Sequence, residues 1–146
     1  MEKNKKELKS FSILILAIVA LSLIRNIVGL CVSGIPQPTE SFEGMTQDMV
    51  QTISIISFVL ALVLFVPQIY LGIKGIMIAN GATSGKTHIV WAIILIIISI
   101  IALIFELVTL INAFNIDTVM NALEPAIELA LFAFYYVYAC RVKNEK

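Results

Sequence analysis

Four ionisable side chains stand inside stretches of the chain that are otherwise almost wholly apolar. They are one cation, Arg25, and three acids, Glu106, Glu124 and Glu128. Groups of this kind mark ion, proton or small-solute pathways in membrane proteins. They also hold helices in register when they pair with one another across a bundle. The residue types leave both kinds of chemistry open.

The segments that carry these residues are long enough to cross a membrane. A bilayer core of about 30 Å takes roughly 20 helical residues, and a helix satisfies its own backbone in lipid. The 146-residue chain is 60% hydrophobic, which is too much apolar surface for so small a soluble domain to bury. We therefore expect an all-α integral membrane protein, a four-transmembrane-helix up-down bundle that forms one domain over residues 1–146. The predicted helices are 11–32, 53–79, 89–111 and 119–140, and the predicted outer loop is 34–51.

The positions of the lysines and arginines set the expected orientation. Nine of the ten lie before the first predicted helix, around the loop between the second and third, or after the fourth. The other two loops carry acids instead, among them Glu40, Asp48 and Asp117. Because basic loops stay on the cytoplasmic side, the pattern predicts a multi-pass plasma-membrane protein whose N and C termini are both cytoplasmic.

Counting the helical rise places the four charges in the same half of the membrane. At 1.5 Å per residue from the cytoplasmic edge, Arg25 lies about 21 Å up the first helix. On the same count, Glu106, Glu124 and Glu128 lie about 25, 24 and 18 Å up their helices. We expect Arg25 to bond Glu106 or Glu128. Any acid that this pairing leaves over is then protonated, solvated or bound to a cation.

Small and polar residues form one stripe along each predicted helix, and such stripes let helices approach and bond inside a bundle. Pro67 in the second helix and Pro125 in the fourth lack a backbone N–H, so we expect a kink at each. An aromatic belt is expected near the cytoplasmic interface, formed by Trp91, Tyr135, Tyr136 and Tyr138, and His88 is expected at that interface as well. The stripes comprise Ser22, Arg25, Asn26 and Gly29; Ser54, Ser57, Ala61, Gln68, Gly72 and Gly75; Ser99, Ala102, Glu106, Thr109 and Asn112; and the pair Glu124 and Glu128.

The usual signatures of cofactor, metal and disulfide chemistry are incomplete. The loop from Gly81 to Lys86 has the composition of a phosphate-binding loop, but three residues separate its glycines where that loop has four. Cys31 and Cys140 are expected at opposite faces of the membrane, too far apart for a disulfide. His88 has no Cys or His beside it with which to bind a metal. We therefore predict no cofactor, no metal, no catalytic residue and no nucleic-acid partner.

The segment from Gly72 to Asn80, followed by Gly85, Lys86 and an isoleucine-rich helix, resembles small four-helix hydrophobic membrane proteins of Gram-positive bacteria. The resemblance covers the end of one predicted helix, the next loop and the start of the following helix. Those proteins carry no assigned activity. The resemblance therefore implies a bacterial plasma membrane and no particular reaction.

The short loops and the lack of a large soluble domain favour a non-enzymatic function. We expect a small multi-pass membrane protein that acts as an accessory or interaction subunit. Its partners would be the lipid bilayer and either a second copy or another membrane protein. The alternative is a proton- or cation-coupled small-solute transporter or channel, in which Arg25, Glu106 and Glu128 form the buried site.

Overall fold

The computed structural model describes residues 2–33, 46–82, 85–112 and 114–144. Its helices are α1, Glu2–Ser33; α2, Gln47–Ala79; α3, Thr87–Asn112; and α4, Ile116–Asn144. All four are long and apolar enough to cross a membrane. The prediction of an all-α chain with four helices that can span a bilayer is therefore confirmed.

Three helices extend well beyond their predicted bounds. α1 begins at Glu2 rather than at residue 11, because the Lys- and Glu-rich segment before the apolar run consists of good helix formers. α2 begins at Gln47 rather than at residue 53, so the end of the predicted outer loop is helical; residues 34–45 of that loop lie outside the described part. α4 extends over Ile116–Asn144 rather than 119–140. Hydropathy marks the lipid-embedded part of a helix, whereas helical hydrogen bonding continues into polar flanks.

A glycine in the left-handed region ends α2. Gly81 has a φ of 104°, which a residue without a Cβ adopts at little cost. Its N–H donates to the carbonyl of Ile78 at 3.0 Å, and the N–H of Ala82 donates to the carbonyl of Met77 at 2.9 Å. This pair of bonds is the Schellman arrangement, which satisfies the last carbonyls of a helix.

A reciprocal pair of bonds starts α4. The N–H of Thr118 donates to Oδ1 of Asn115 at 2.8 Å, and the N–H of Asn115 donates to Oγ1 of Thr118 at 3.1 Å. The two side chains thus satisfy backbone donors that have no partner inside the helix. This capping explains why α4 begins before the apolar run that marks its membrane span.

The chain divides into two compact units, Met1–Leu16 with Pro67–Lys146, and Ala17–Val66. Within the first unit, α3 packs against α4. In the second unit, Val19 and Phe65 are buried, whereas most large apolar side chains are exposed. Lipid covers such a surface readily, but water does not. The fully buried side chains of the first unit include Leu8, Ser12, Ile15, Leu71, Ile78, His88, Leu95, Tyr135 and Val142.

Two glycines bring α2 close to its neighbours inside the first unit. A Cβ on Gly72 would meet the side chain of Leu16 and, at 3.1 Å, the carbonyl oxygen of Ser12. A Cβ on Gly75 would meet the hydroxyl of Ser12 and the ring of Tyr135. The predicted small-residue stripe of the second helix therefore serves close packing at both positions.

Candidate intramembrane polar site

Glu124 and Glu128 lie on one face of α4, one helical turn apart. Both side chains are half-buried, and the two carboxyl groups interact electrostatically. The spacing of four residues predicts that the two side chains lie close together, because such residues share a helix face. Two like charges so placed repel each other. A proton, a cation or a basic group relieves that repulsion.

Gln68 of α2 lies beside this acidic pair. Its side chain is only 7% exposed, and its amide is placed to donate a hydrogen bond to the carboxyl group of Glu128. An amide without a partner in an apolar core would be costly, so this interaction stabilises Gln68 and orients Glu128. It also links α2 to α4 within the first unit. The sequence placed Gln68 on the polar stripe of the second helix but did not identify its partner.

The polar stripe of α3 faces inward along only part of its length. Ser99 is buried, and Ala102 and Glu106 are half-buried. Thr109 and Asn112 are exposed, so the prediction that they lie inside the bundle is wrong. The hydroxyl of Thr109 donates to a carbonyl of its own helix, which satisfies it without a neighbouring helix.

Arg25 lies in the C-terminal half of α1, in the second unit. Its side chain is exposed, as is Ala61 on α2, and Asn26 is half-buried. The amide of Asn26 donates to the carbonyl of Ser22 at 2.8 Å, within the same helix. The bond from Arg25 to one of the acids stays a prediction. The side chains of Ser54 and Ser57 lie outside the described part.

Pro67 and Pro125 lie inside α2 and α4, and both helices continue on either side of them. Each proline removes one N–H from the helical hydrogen-bond ladder. Pro67 directly precedes Gln68, and Pro125 directly follows Glu124. The weakened ladder therefore adjoins the polar site on both helices, and the two kinks stay predictions.

A second polar layer, which the sequence did not predict, lies in the core of the first unit. The hydroxyl of Ser12 donates to the carbonyl of Leu8 at 2.7 Å. The ring of His88 stands edge-on to that of Tyr135, with 6.3 Å between centroids. Within the described part of the chain, neither nitrogen of His88 nor the hydroxyl of Tyr135 has a hydrogen-bond partner.

The early start of α1 explains why this layer was missed. His88 and Tyr135 are fully buried, so the prediction that the Tyr135 ring anchors the membrane interface is wrong. The lysine-rich segment hides the core position Leu8, whose helical spacing continues to Ser12 in the apolar run. The sequence feature that could have indicated this layer is a small residue, Gly75, that leaves room for a large aromatic ring on a neighbouring helix.

Cys31 is exposed, Cys140 is half-buried, and both are free thiols. Among the residues that the structure describes, no three His, Cys, Asp or Glu side chains lie close enough to hold a metal ion. No family model, curated protein or solved structure matches this chain. The side chains described above therefore carry the functional argument.

Proposed function

We propose that the chain is a non-enzymatic accessory or interaction subunit, which associates inside the membrane with another membrane protein or with a second copy of itself. The face of α1 around Arg25 supports this proposal. Arg25 is exposed within the candidate span Glu2–Gly29, and Val28, one turn further on, is 52% exposed. Among the residues that the structure describes, no packing neighbour lies within 4 Å of the position that a Cβ on Gly29 would take.

An exposed guanidinium and an exposed glycine on the same face are unusual for a helix that meets only lipid. A glycine lets a neighbouring backbone approach closely, and polar side chains bond across helices in membranes. A guanidinium carries five N–H donors, enough to bond a neighbouring protein. The α1 face thus combines a side chain that can bond a protein neighbour with a surface that admits one.

A photoreactive amino acid at Val28 is expected to crosslink to protein in native membranes. The matched control is Val108 on α3, which is also 52% exposed and follows the exposed side chains of Ile104 and Phe105 by about one turn. A probe at Val108 is expected to crosslink to lipid. Arg25→Leu should weaken the protein crosslink at Val28, while Arg25→Lys, which keeps the charge, should weaken it less.

Equal protein crosslinking at Val28 and Val108 would contradict the proposal, because it would show general crowding rather than a specific face. A crosslink at Val28 that Arg25→Leu leaves unchanged would show that the guanidinium of Arg25 is not part of the interface. Detection of the same crosslink with the purified chain alone would identify the partner as a second copy.

We further propose that the protein resides in a bacterial plasma membrane with both termini in the cytoplasm. Lysines crowd the start of α1, Lys86 precedes α3, and Arg141 and Lys143 lie in the last turn of α4. Four spans bring these three regions to the same side, and basic residues favour the cytoplasmic side. The resemblance to hydrophobic proteins of Gram-positive bacteria supports the bacterial assignment.

The Gln68, Glu124 and Glu128 arrangement favours a second candidate function, a proton- or cation-coupled transporter or channel, because carboxyl groups inside a membrane mark such pathways. This function predicts flux into proteoliposomes above that into empty liposomes, and loss of the flux in Glu128→Gln. Glutamine keeps the hydrogen-bonding capacity but carries no charge. The interaction-subunit proposal predicts that wild-type, Glu128→Gln and empty vesicles behave alike.

A further inference from the structure

A pocket of about 400 Å³ lies between the start of α1 and the end of α2, within the first unit. Lys5, Lys6 and Lys9 line it on the α1 side, and Asn80 lines it on the α2 side. Among the described residues, Glu2 is the one carboxylate in the lining. Three ammonium groups against one carboxylate give the pocket an excess of positive charge.

Helical spacing brings the three ammonium groups to one face of α1. Lys9 follows Lys5 by four residues and Lys6 by three, so the three side chains are neighbours on the helix surface. Nζ of Lys9 donates to Oδ1 of Asn80 at 3.1 Å, which joins the two walls of the pocket. Because the amide oxygen accepts this bond, the amide nitrogen of Asn80 adds further N–H donors to the lining.

The lysines are not needed to bond the last carbonyls of α2. Cationic side chains often bond the last carbonyls of a helix. Here the backbone N–H groups of residues 80–82 already donate to the carbonyls of residues 76–78, at 2.9–3.0 Å. The ammonium groups of Lys5 and Lys6 therefore stay available for a ligand in the pocket.

The pocket lies where the candidate span of α1 passes from polar to apolar residues. Ile13 and Leu14 follow Lys9 by about one turn and are 49% and 47% exposed, as expected of side chains that face lipid. The phosphate groups of phospholipids lie at this boundary. Basic pockets between membrane helices bind phosphorylated headgroups through such lysines.

We propose that this pocket binds a phosphate group, carried either by an anionic phospholipid or by a soluble phosphate compound. The lysine ammonium groups would pair with the phosphate oxygens, and the Asn80 amide would donate to them. The site does not depend on the association face around Arg25, so either proposal stands without the other.

The test has two arms, one for a soluble phosphate ligand and one for a lipid. In the soluble arm, inorganic phosphate is titrated into full-length protein in phosphatidylcholine nanodiscs, and binding is measured by calorimetry. In the lipid arm, phosphatidylglycerol is titrated into detergent-purified protein, and retained lipid is measured by native mass spectrometry. The variant Lys5→Gln/Lys6→Gln removes two charges from the pocket but leaves the Lys9–Asn80 bond. The matched control, Lys3→Gln/Lys86→Gln, removes two charges outside the lining.

The pocket variant is expected to bind the phosphate-bearing probe about tenfold more weakly or worse, and the control is expected to match the wild type. Loss in the lipid arm alone identifies a headgroup, loss in the soluble arm alone identifies a soluble phosphate, and loss in both identifies the phosphate group itself. Equal weakening by the two double variants would overturn the proposal, because it would show diffuse surface charge. The absence of saturable binding in both arms would overturn it as well.

Discussion

Gly75→Ala is expected to lower the free energy of unfolding by about 1–3 kcal/mol, the usual cost of overpacking a core. The added Cβ would meet the Ser12 hydroxyl and the Tyr135 ring, and would lie 3.1 Å from Cβ of Ser12. Ser12 and Tyr135 are both fully buried, so neither can move aside without displacing other core side chains. Interiors at this packing density transmit such strain.

The control for this substitution is Gly29→Ala, at a helical glycine with open space around it. Alanine gains up to about 1 kcal/mol of helix propensity over glycine, so Gly29→Ala should leave stability unchanged or raise it. Unfolding of the monomeric chain by a denaturing detergent in mixed micelles measures both variants against the wild type. Equal stability of Gly75→Ala and Gly29→Ala would show that α2 does not approach Ser12 and Tyr135 this closely.

In contrast to Gly75→Ala, replacement of the buried histidine should stabilise the protein. His88→Leu is expected to raise the free energy of unfolding by about 1–3 kcal/mol, the cost of a buried polar group without a partner. His88 is fully buried, and neither ring nitrogen has a hydrogen-bond partner within the described residues. Leucine fills a similar volume with no polar atom to satisfy.

Tyr135→Phe tests the same layer with a smaller change, because it deletes only a buried hydroxyl that lacks a partner in the described part. It should also be neutral or stabilising. Tyr138→Phe is the matched control, since Tyr138 is half-buried and stacks on Phe11 with 5.5 Å between centroids. A marked loss of stability in His88→Leu would mean that the imidazole makes bonds in the folded protein that its described neighbours do not supply.

The four spans could be predicted because hydropathy over about 20 residues is a strong signal in lipid. The first nine residues of α1 could not be predicted in this way. They are polar, and their helix depends on the propensity of Lys and Glu and on the burial of Leu8. The end of α2 was predictable from Gly81, whose positive φ few other residues would adopt.

The polar site was predictable only within single helices. The spacing of Glu124 and Glu128 fixes them on one face of α4 whatever surrounds that helix. The interaction of Gln68 with Glu128 depends on how α2 and α4 are rotated about their axes, which a stripe of polar residues does not determine. Thr109 shows the same limit, because it belongs to the α3 stripe by spacing but is exposed.

Cysteine accessibility in intact cells tests the central claim most directly, namely that the chain crosses the membrane four times with both termini in the cytoplasm. Cys31 and Cys140 are first replaced by serine, and single cysteines are then introduced as Asp48→Cys and Gly85→Cys. Both positions are exposed, one at the start of α2 and the other just before α3. A membrane-impermeant maleimide is predicted to label Asp48→Cys in intact cells and Gly85→Cys only after permeabilisation. Labelling of Gly85→Cys from outside, alone or together with Asp48→Cys, would contradict the account.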